Sequence, residues 1–340
     1  MDMAKENQSL TIQEEFARKI KQENRREKII RWAPVFVLIA LIVFFTIARG
    51  RAFASVSNLV AILNQWAIPL LVALGLTFVI MLGSIDLSID GTVGMAGSIC
   101  SVLVMNTLND NNFGFLGVLI AILCSVFVGF LVGVIHVKAK VPSFMVSFAF
   151  MNICTGIAYI SYKGTPATVT DPVLKALPKV SFLGIPFITW VALIMLAICI
   201  YIQEFTPFGR YIYAVGTDES IPRSVGVNVD HVKIGVFTFA GFIFGVAGII
   251  GLIRLGQGQA GIGTNLMFPA QAAVVIGGTS LSGGKGGVIN TVVGTLIMTV
   301  LINGLTMMGI DPNVKTGIQG IIILVAVILT IKRGPTVIAK

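Results

Sequence analysis

The chain has 340 residues, of which 56% are hydrophobic and only 11% are charged. Because soluble domains carry about 25% charged residues, this composition excludes an ordinary soluble protein and indicates an integral membrane protein. The net charge of +9 does not indicate a nucleic-acid partner, because the basic residues are dispersed among apolar segments rather than gathered on one face. The four cysteines lack paired or metal-ligand spacing, so we expect no disulfide, metal or cofactor.

Residues 1–31 are polar, and Leu10, Phe16 and Ile20 are spaced to form one apolar face of a helix. We expect a cytoplasmic tail here, either an amphipathic helix that binds lipid or a partner, or a solvated segment. Residues 32–333 are expected to form a transmembrane permease domain, and residues 334–340 a second cytoplasmic tail.

The remaining sequence is a series of apolar segments. Since a helix needs roughly 20 residues to cross the hydrocarbon, these segments predict an all-α, polytopic membrane protein with about ten spans. The third and eighth segments are short and adjoin glycine-rich stretches, which predicts broken helices near 83–91 and 277–287. The predicted spans are 32–48, 58–82, 91–105, 115–137, 142–162, 185–203, 234–255, 268–281, 287–308 and 315–331.

Charge predicts the orientation of these spans. With an even number of spans and a cytoplasmic N-terminus, most of the 24 Lys and Arg residues fall on the cytoplasmic side, as the positive-inside rule requires. This orientation places both termini and residues 204–233 inside. The longest outer loop, residues 163–184, is either a docking surface for an extracytoplasmic protein or a plain connector.

Residues 83–91 place two carboxylates, Asp86 and Asp90, in an apolar stretch. Charges at membrane depth are costly and normally face a cavity or a partner group. Asp86 therefore either lines or gates a transport path, or caps the N-terminus of the next helix. Asp90 is expected to cap the helix that opens at Gly91.

Several other polar side chains lie within apolar segments. They are expected either to contact solute hydroxyl groups or to form hydrogen bonds between helices. With Asp86, the candidates for the substrate path are Asn64, Trp66, Asn152, Gln271 and Asn303, and Gln65 lies beside the first two.

Residues 204–233 concentrate charge in a chain that otherwise avoids it. Local signals predict one short helix there: Asp218 or Ser220 suits the N-cap, Pro222 the first turn and Gly226 the end. Such a helix is too short and too polar to cross a bilayer, so it should lie outside the membrane and be available to a partner.

Glycine patterns give four further indications. Residues 277–282 match residues 83–88 at three of six positions, as expected of a duplicated transporter. Residues 129–133 and 241–245 have Gly-x-x-x-Gly spacing, which predicts helix packing within the subunit. Residues 256–261 fit a dinucleotide-binding pattern but follow a span rather than a strand, so we expect a flexible outer loop. Lys285 lacks the flanking residues of a P-loop, so the chain is not expected to bind ATP.

Three motif regions, spread over about residues 55–333, resemble ribose-type sugar ABC transporter permeases. Residues 206–227 look like the cytoplasmic coupling loop, residues 83–88 are similar to the Gly-Ile-Asp-Leu-Ser motif, and residues 272–286 resemble a second signature. Departures occur at Ile221-Pro222, where the family usually has small residues, and at Asp90, where valine is common. Residues 265–268 also lack the family's acidic residue.

The resemblance implies a permease subunit of an ATP-driven importer for a small sugar such as ribose, galactose or xylose, working by alternating access in the bacterial inner membrane. The implied partners are an ATPase subunit with two nucleotide-binding cassettes, an extracytoplasmic sugar-binding protein and a second, identical or related permease subunit. In this family the loop docks on the ATPase, which hydrolyses the ATP. The implied coupling residues are Gly209, Arg210, Gly216, Asp218, Glu219, Arg223 and Gly226.

Three alternatives remain at the level of sequence. An ABC permease for an inositol, an autoinducer or a nucleoside would carry the same motifs. An ion-coupled secondary transporter would use Asp86 and Asp90 as its ion site. A membrane-embedded enzyme would need clustered His, Cys or carboxylate residues, and only the Asp86–Asp90 pair is present.

Overall fold

The computed structural model describes residues 32–330, so the predicted tails at residues 1–31 and 334–340 lie outside the described residues. In chain order, the helices are α1 (Trp32–Ala52), α2 (Val56–Met81), α3 (Ile89–Leu103), α4 (Phe115–Lys138), α5 (Ser143–Ser161), α6 (Pro172–Ala176), α7 (Phe187–Phe205), α8 (Pro207–Thr217), α9 (Ser220–Ser224), α10 (Val229–Leu255), α11 (Met267–Ile276), α12 (Val288–Met307) and α13 (Pro312–Thr330). Short 3-10 turns occur at Gly50–Ala52, Leu177–Lys179 and Ala260–Gly263. Two antiparallel pairs of two-residue strands join β1 (Ala167–Thr168) to β4 (Gln257–Gly258), and β2 (Ser181–Phe182) to β3 (Ile185–Pro186).

The helices confirm an all-α polytopic membrane protein, but the predicted number of about ten spans is not confirmed. Seven helices in the described part of the chain are long and apolar enough to cross a membrane: α1, α2, α4, α5, α7, α10 and α12. Two apolar helical segments, α3 and residues 260–276, are shorter. Among the seven, α2, α10 and α12 are the most buried, so they form the centre of the bundle.

Both predicted helix breaks are present. The first lies between Met81 and Ile89, and the second between Ile276 and Val288. The first break begins where Gly83 adopts a φ of +74°, a conformation that a residue with a side chain rarely adopts.

Two serines of α5 satisfy the irregular backbone at the first break. The Ser143 hydroxyl accepts a hydrogen bond from the Ile85 N–H (3.1 Å), and the Ser147 hydroxyl accepts one from the Leu87 N–H (2.9 Å). Backbone groups that leave a helix inside a membrane protein need such partners, because lipid supplies none.

The helix contacts repeat in two halves. Helix α3 packs against α4, α5 and α10, whereas α11 packs against α12, α13 and α2. The first half therefore runs from α2 to α5 and the second from α10 to α13, with each short helix held against the long first helix of the other half. By this contact pattern, residues 256–266 correspond to the break at 83–88, so the matching sequence at 277–282 does not mark an equivalent position.

Small residues allow two central helices to approach closely. A Cβ atom on Gly129 of α4 would lie 2.3 Å from the Phe237 carbonyl oxygen of α10, and one on Gly241 would lie 2.5 Å from the Ser125 carbonyl oxygen. The predicted packing of the Gly-x-x-x-Gly segments within the subunit is thus confirmed.

Contacts between loops assign them to two opposite faces. On one face, Lys138 at the end of α4 forms an ion pair with Asp230 at the start of α10, at 3.5 Å. We call this the α8–α9 face. On the other, the β1–β4 face, residues 167–168 pair with residues 257–258. These contacts separate the two faces, and which of them is cytoplasmic stays a prediction.

The prediction of a flexible loop at residues 256–261 is wrong. After β4 the chain turns back into the bundle, and a Cβ atom on Gly263 would lie 1.9 Å from the Asp90 carbonyl oxygen. Residues 256–266 are therefore a packed, re-entrant segment that leads into α11. Sequence analysis missed this because the contacts are made with a distant part of the chain.

Candidate functional site

The segment between α7 and α10 contains two short helices rather than the single helix predicted. The first, α8, begins as its sequence indicates: the Thr206 hydroxyl accepts a hydrogen bond from the Gly209 N–H (3.3 Å), and Pro207 occupies the first helical position. Helix α9 follows after Asp218 and Glu219 and contains Pro222 in its first turn.

The N-cap residue of α9 is Glu219, whose side chain makes no capping hydrogen bond, so the predicted N-cap at Asp218 or Ser220 is wrong. The predicted end signal, Gly226, is present. The Asp218 carboxylate accepts hydrogen bonds from the Ser220 N–H (2.9 Å) and hydroxyl (2.8 Å). The backbone N–H of Ser220, and then its hydroxyl, hold the pKa of Asp218 below its usual value. Gly226 follows α9 with a φ of +81° and open space around it, so its role in this structure is to reverse the chain.

Two of the predicted coupling residues belong to a network of ion pairs. Arg223 contacts Asp230 (3.0 Å) and Glu219 (3.9 Å), and Glu219 also contacts Lys233. Lys138 reaches Asp230 from α4. This network fixes α9 to the beginning of α10 and the end of α4, so part of the charge on Glu219 and Arg223 is already used within the subunit.

Arg210 differs from these residues. It is exposed on α8, and within residues 32–330 it forms neither an ion pair nor a side-chain hydrogen bond. Ile221 and Val225 lie nearby in sequence and are 60% and 74% exposed. We call Arg210, Ile221 and Val225 the exposed trio, because all three side chains are exposed in the segment between α7 and α10. Sequence analysis missed the two apolar members, although apolar residues in a segment expected to lie outside the membrane were an available signal.

Gly209 and Gly216 face inward. A Cβ atom on Gly209 would lie 2.2 Å from the Gln203 carbonyl oxygen, and one on Gly216 would lie 1.9 Å from the Met81 carbonyl oxygen. These glycines therefore hold α8 against the ends of α7 and α2. The seven predicted coupling residues thus divide into an inner packing set, an ion-pair set, two residues that shape the chain, and the exposed Arg210.

Asp86 and Asp90 both bind backbone N–H groups. Asp86 is 1% exposed and accepts from the Ser88 N–H (2.8 Å) at the start of α3, which agrees with the capping alternative. Asp90 lies in the first turn of α3, which begins at Ile89, but its carboxylate accepts from the N–H groups at the start of α11. Asp90 thus uses both carboxylate oxygens on backbone N–H groups, whereas Asp86 uses one, Oδ1.

The contacts of Asp90 connect the two halves of the bundle. Its oxygens accept hydrogen bonds from the N–H groups of Asn265 (3.1 Å), Leu266 (3.2 Å) and Met267 (2.8 Å). Asp90 was expected to cap the helix in which it lies, and it instead caps a helix of the other half. Asp90 stands where the family commonly has valine, and residues 265–268 lack the family's acidic residue. These two departures from the family pattern therefore occur at positions that contact each other.

The uncharged residues predicted for the substrate path do not form one cluster. Trp66 donates its indole N–H to the Thr295 hydroxyl (2.8 Å) and thereby links α2 to α12. Asn152 is exposed on α5 and donates to the Phe148 carbonyl of its own helix. Buried side-chain atoms without a hydrogen-bond partner occur on Asn64, Gln271 and Asn303.

A cavity of about 380 Å³ lies between α2, α10 and the re-entrant segment. Its polar side chains are Gln65 and Arg254, and its apolar wall includes Pro69 and Ile262. The residues that line it include none of the six predicted path residues. The sequence analysis names Gln65 for its polarity in an apolar segment, but it does not identify Arg254.

A second cavity, of about 180 Å³, lies beside the first on the β1–β4 face. Lys175, Lys179 and Arg254 line it together, and none of the three forms an ion pair with another described residue. Asp171, the acid nearest to them in the same loop, is buried and accepts from the Val173 and Leu174 N–H groups. The cavity is therefore strongly basic.

The described helices define a polytopic bundle with two interrupted helices, two halves of matching contacts and an extramembrane helix pair, which is the architecture of a membrane transporter. The family model described as "Branched-chain amino acid transport system / permease component" matches residues 58–327. The chain belongs to this family of ABC permeases, and within it to the ribose-type permeases.

Individual relatives agree with this assignment. The ribose import permease protein RbsC of Haemophilus influenzae is 36% identical over 243 residues, which cover 70% of this chain and 74% of the relative. RbsC of Escherichia coli K12 is 32% identical over 70% of this chain and 75% of the relative. The autoinducer 2 import system permease protein LsrC of Salmonella paratyphi B is 29% identical over 74% of this chain and 70% of the relative. No solved structure matches the chain.

Membership of this family has two consequences. The chain is a multi-pass inner-membrane protein of the transport class, and its relatives are transport permeases rather than enzymes. A permease of a binding-protein-dependent ABC system implies an ATPase and a substrate-binding protein as partners.

Proposed function

We propose that this chain forms the translocation path of an ATP-driven importer for ribose or a similar small sugar. The observation that carries the proposal is the similarity to ribose import permeases over about 70% of the chain, together with α8 and α9 on one face of the bundle. Import of autoinducer 2 is the second candidate function, because LsrC matches a similar share of the chain. It ranks second because the identity is lower.

Uptake by reconstituted protein tests this proposal. The permease, its ATPase and its solute-binding protein would be placed in proteoliposomes, and ATP-dependent entry of labelled ribose and of autoinducer 2 would be compared. We expect ribose entry that requires ATP and all three components. Uptake by the permease alone, driven by a sodium or proton gradient, would contradict the proposal and favour the ion-coupled alternative.

On the α8–α9 face, residues 204–233 would form the coupling segment that docks on an ATPase with two nucleotide-binding cassettes. Support comes from the exposed trio, since exposed apolar side chains, and a cation without an ion pair among residues 32–330, in one extramembrane segment suit a protein interface. Glu219, Arg223 and Asp218 would hold α9 in its docking position. This arrangement requires the α8–α9 face, both tails and the ATPase to lie in the cytoplasm.

For Arg210→Glu, we expect ATP-driven uptake to fall about tenfold, because a reversed charge at a docking surface weakens association. The measurement is uptake together with co-purification of the ATPase. Lys140→Glu is the matched control, since Lys140 is also an exposed cation on the α8–α9 face without an ion pair among the described residues. Equal losses in the two variants would contradict a specific role for Arg210.

On the β1–β4 face, the basic cavity would receive acidic side chains of the sugar-binding protein. Its three cations come from two separate segments, residues 172–179 and the end of α10, and no described acid neutralises them. Charges of one sign repel each other when gathered together, so an acidic partner would stabilise this arrangement. The predicted docking loop, residues 163–184, contributes two of the three.

For the double variant Lys175→Glu and Lys179→Glu, we expect the binding-protein concentration that gives half-maximal uptake to rise about tenfold at low salt. The maximal rate should change much less, because the path itself is intact. Lys163→Glu with Lys315→Glu changes charge equally on the same face and lies outside the cavity. A similar rise in that control would show a general field effect instead of a docking site.

The substrate path would run through the 380 Å³ cavity and past the buried polar atoms of Asn64, Gln271 and Asn303 during alternating access. Trp66 and Asp86 would shape the path by holding helices, since both side chains have internal partners. Asn152 faces outward from this subunit, so it would reach the solute only where a second permease subunit covers α5.

A further inference from the structure

Three backbone segments meet on the α8–α9 face without side chains between them. The Gly284 N–H donates a hydrogen bond to the Met81 carbonyl at the end of α2 (2.9 Å). A Cβ atom on Gly283 would lie 2.6 Å from the Gly216 carbonyl oxygen and 2.8 Å from the Gly83 nitrogen. We call Gly83, Gly216, Gly283 and Gly284 the glycine junction. It joins α8 to both interrupted regions of the bundle.

Two side chains hold the segment 277–287 to the same region. The Tyr213 hydroxyl of α8 donates a hydrogen bond to the Gly286 carbonyl (2.8 Å). The Gln203 amide oxygen, at the end of α7, accepts one from the Val288 N–H (2.7 Å). Gln203 thereby caps the first turn of α12 from another helix, a contact that no local sequence signal indicates.

This packing leaves little room for independent movement. Close packing transmits displacement between neighbouring elements, and contiguous contacts of this kind carry energetic coupling between sites. Any displacement of α8 therefore acts on residues 277–287 and, through Val288, on the start of α12. The same displacement acts on the end of α2 through Met81 and Gly83.

We propose that residues 277–287 receive the movement of α8 and pass it to α12 and α2, with Tyr213 and Gln203 as the positioning residues. This inference rests on the proposed function, because it requires an ATPase that moves α8. It assigns a task to a glycine-rich segment that is neither the docking surface nor part of either cavity.

Tyr213→Phe removes only the hydroxyl group. Tyr201→Phe in α7 is the matched control, since Tyr201 lies outside the proposed docking segment and its hydroxyl has no hydrogen bond in the described structure. In the reconstituted complex, we expect Tyr213→Phe to lower the maximal rate of binding-protein-stimulated ATP hydrolysis about fivefold, the effect of one hydrogen bond on a coupling equilibrium. The half-saturating concentration of binding protein and the recovery of the ATPase with the permease should not change. Tyr201→Phe should match the wild type.

Hydrogen exchange distinguishes coupling from a purely structural role of Tyr213, because a structural role would not change how exchange responds to nucleotide. We expect the exchange of residues 277–288 to change between the nucleotide-free and ATP-bound complexes in the wild type and in Tyr201→Phe, and to change less in Tyr213→Phe. Identical coupling in the two tyrosine variants, or no nucleotide-dependent exchange in wild-type residues 277–288, would overturn this inference alone. Failure of the wild-type complex to show stimulated ATP hydrolysis would overturn the proposed function and this inference with it.

Discussion

Replacing Asp90 by alanine is expected to destabilise the protein by about 5 kcal/mol, because three hydrogen bonds to a charged acceptor are lost and each contributes about 1.5–3 kcal/mol. The partly buried N–H groups of Leu266 and Met267, and the exposed N–H group of Asn265, would lose their acceptor. The measurement is the free energy of unfolding in detergent, together with ATP-driven uptake. We expect uptake to fall as well, since α11 and the floor of the larger cavity depend on these contacts.

Two variants sharpen this experiment. Asp90→Asn keeps one oxygen acceptor, so its loss of stability should be less than half of the loss in Asp90→Ala. Asp110→Ala removes an exposed aspartate with no ion pair among the described residues, and it should be close to neutral. If Asp90→Ala were as stable as Asp110→Ala, the connection between the two halves would not depend on this carboxylate.

Gly216→Ala is the second substitution with a large expected effect. The added Cβ would lie 1.9 Å from the Met81 carbonyl oxygen and 2.7 Å from the Gly284 nitrogen, and these backbone atoms cannot rotate away as a side chain can. We expect a loss of about 3 kcal/mol in stability from overpacking, together with a loss of ATP-driven uptake. Thermal unfolding of the purified permease and uptake in proteoliposomes measure the two effects.

The control for this substitution is Gly156→Ala in α5, because no heavy atom lies within 4 Å of the position its Cβ would take. Alanine favours a helix over glycine, so this variant should be neutral or slightly more stable. A mild effect of Gly216→Ala, comparable to that of Gly156→Ala, would show that α8 can move away from α2 without consequence.

The parts of the fold that depend on local composition could be predicted from the sequence. Apolar run length places the spans, and Gly83 together with the glycines of 277–287 indicates the breaks, because glycine permits the backbone to leave a helix. The starting signals of α8, Thr206 and Pro207, were also present. The prediction of a single helix at residues 218–226 does not use these signals, because it rests on the charged residues that follow them.

The parts that depend on distant contacts could not be predicted. Asp90 has the same local signals as any N-terminal cap, and only the packing of α3 against the re-entrant segment brings it to α11. In the sequence, Gln203 is similarly only a polar residue at the end of a span. Its role as a cap becomes evident only in the structure, where the start of α12 lies beside it. Periodicity and spacing describe neighbours along the chain, so they cannot report which helix from the other half supplies a partner.

The position of Asp90 also has a consequence for electrostatic balance. The N-terminus of a helix carries about half a positive elementary charge, and Asp90 lies in the first turn of α3 while it binds the first N–H groups of α11. One carboxylate therefore matches the combined positive charge of two helix ends, and the site is nearly neutral without water or a bound ion. Neutralising that residue would leave both ends uncompensated at once, so its loss cannot be repaired within either half alone.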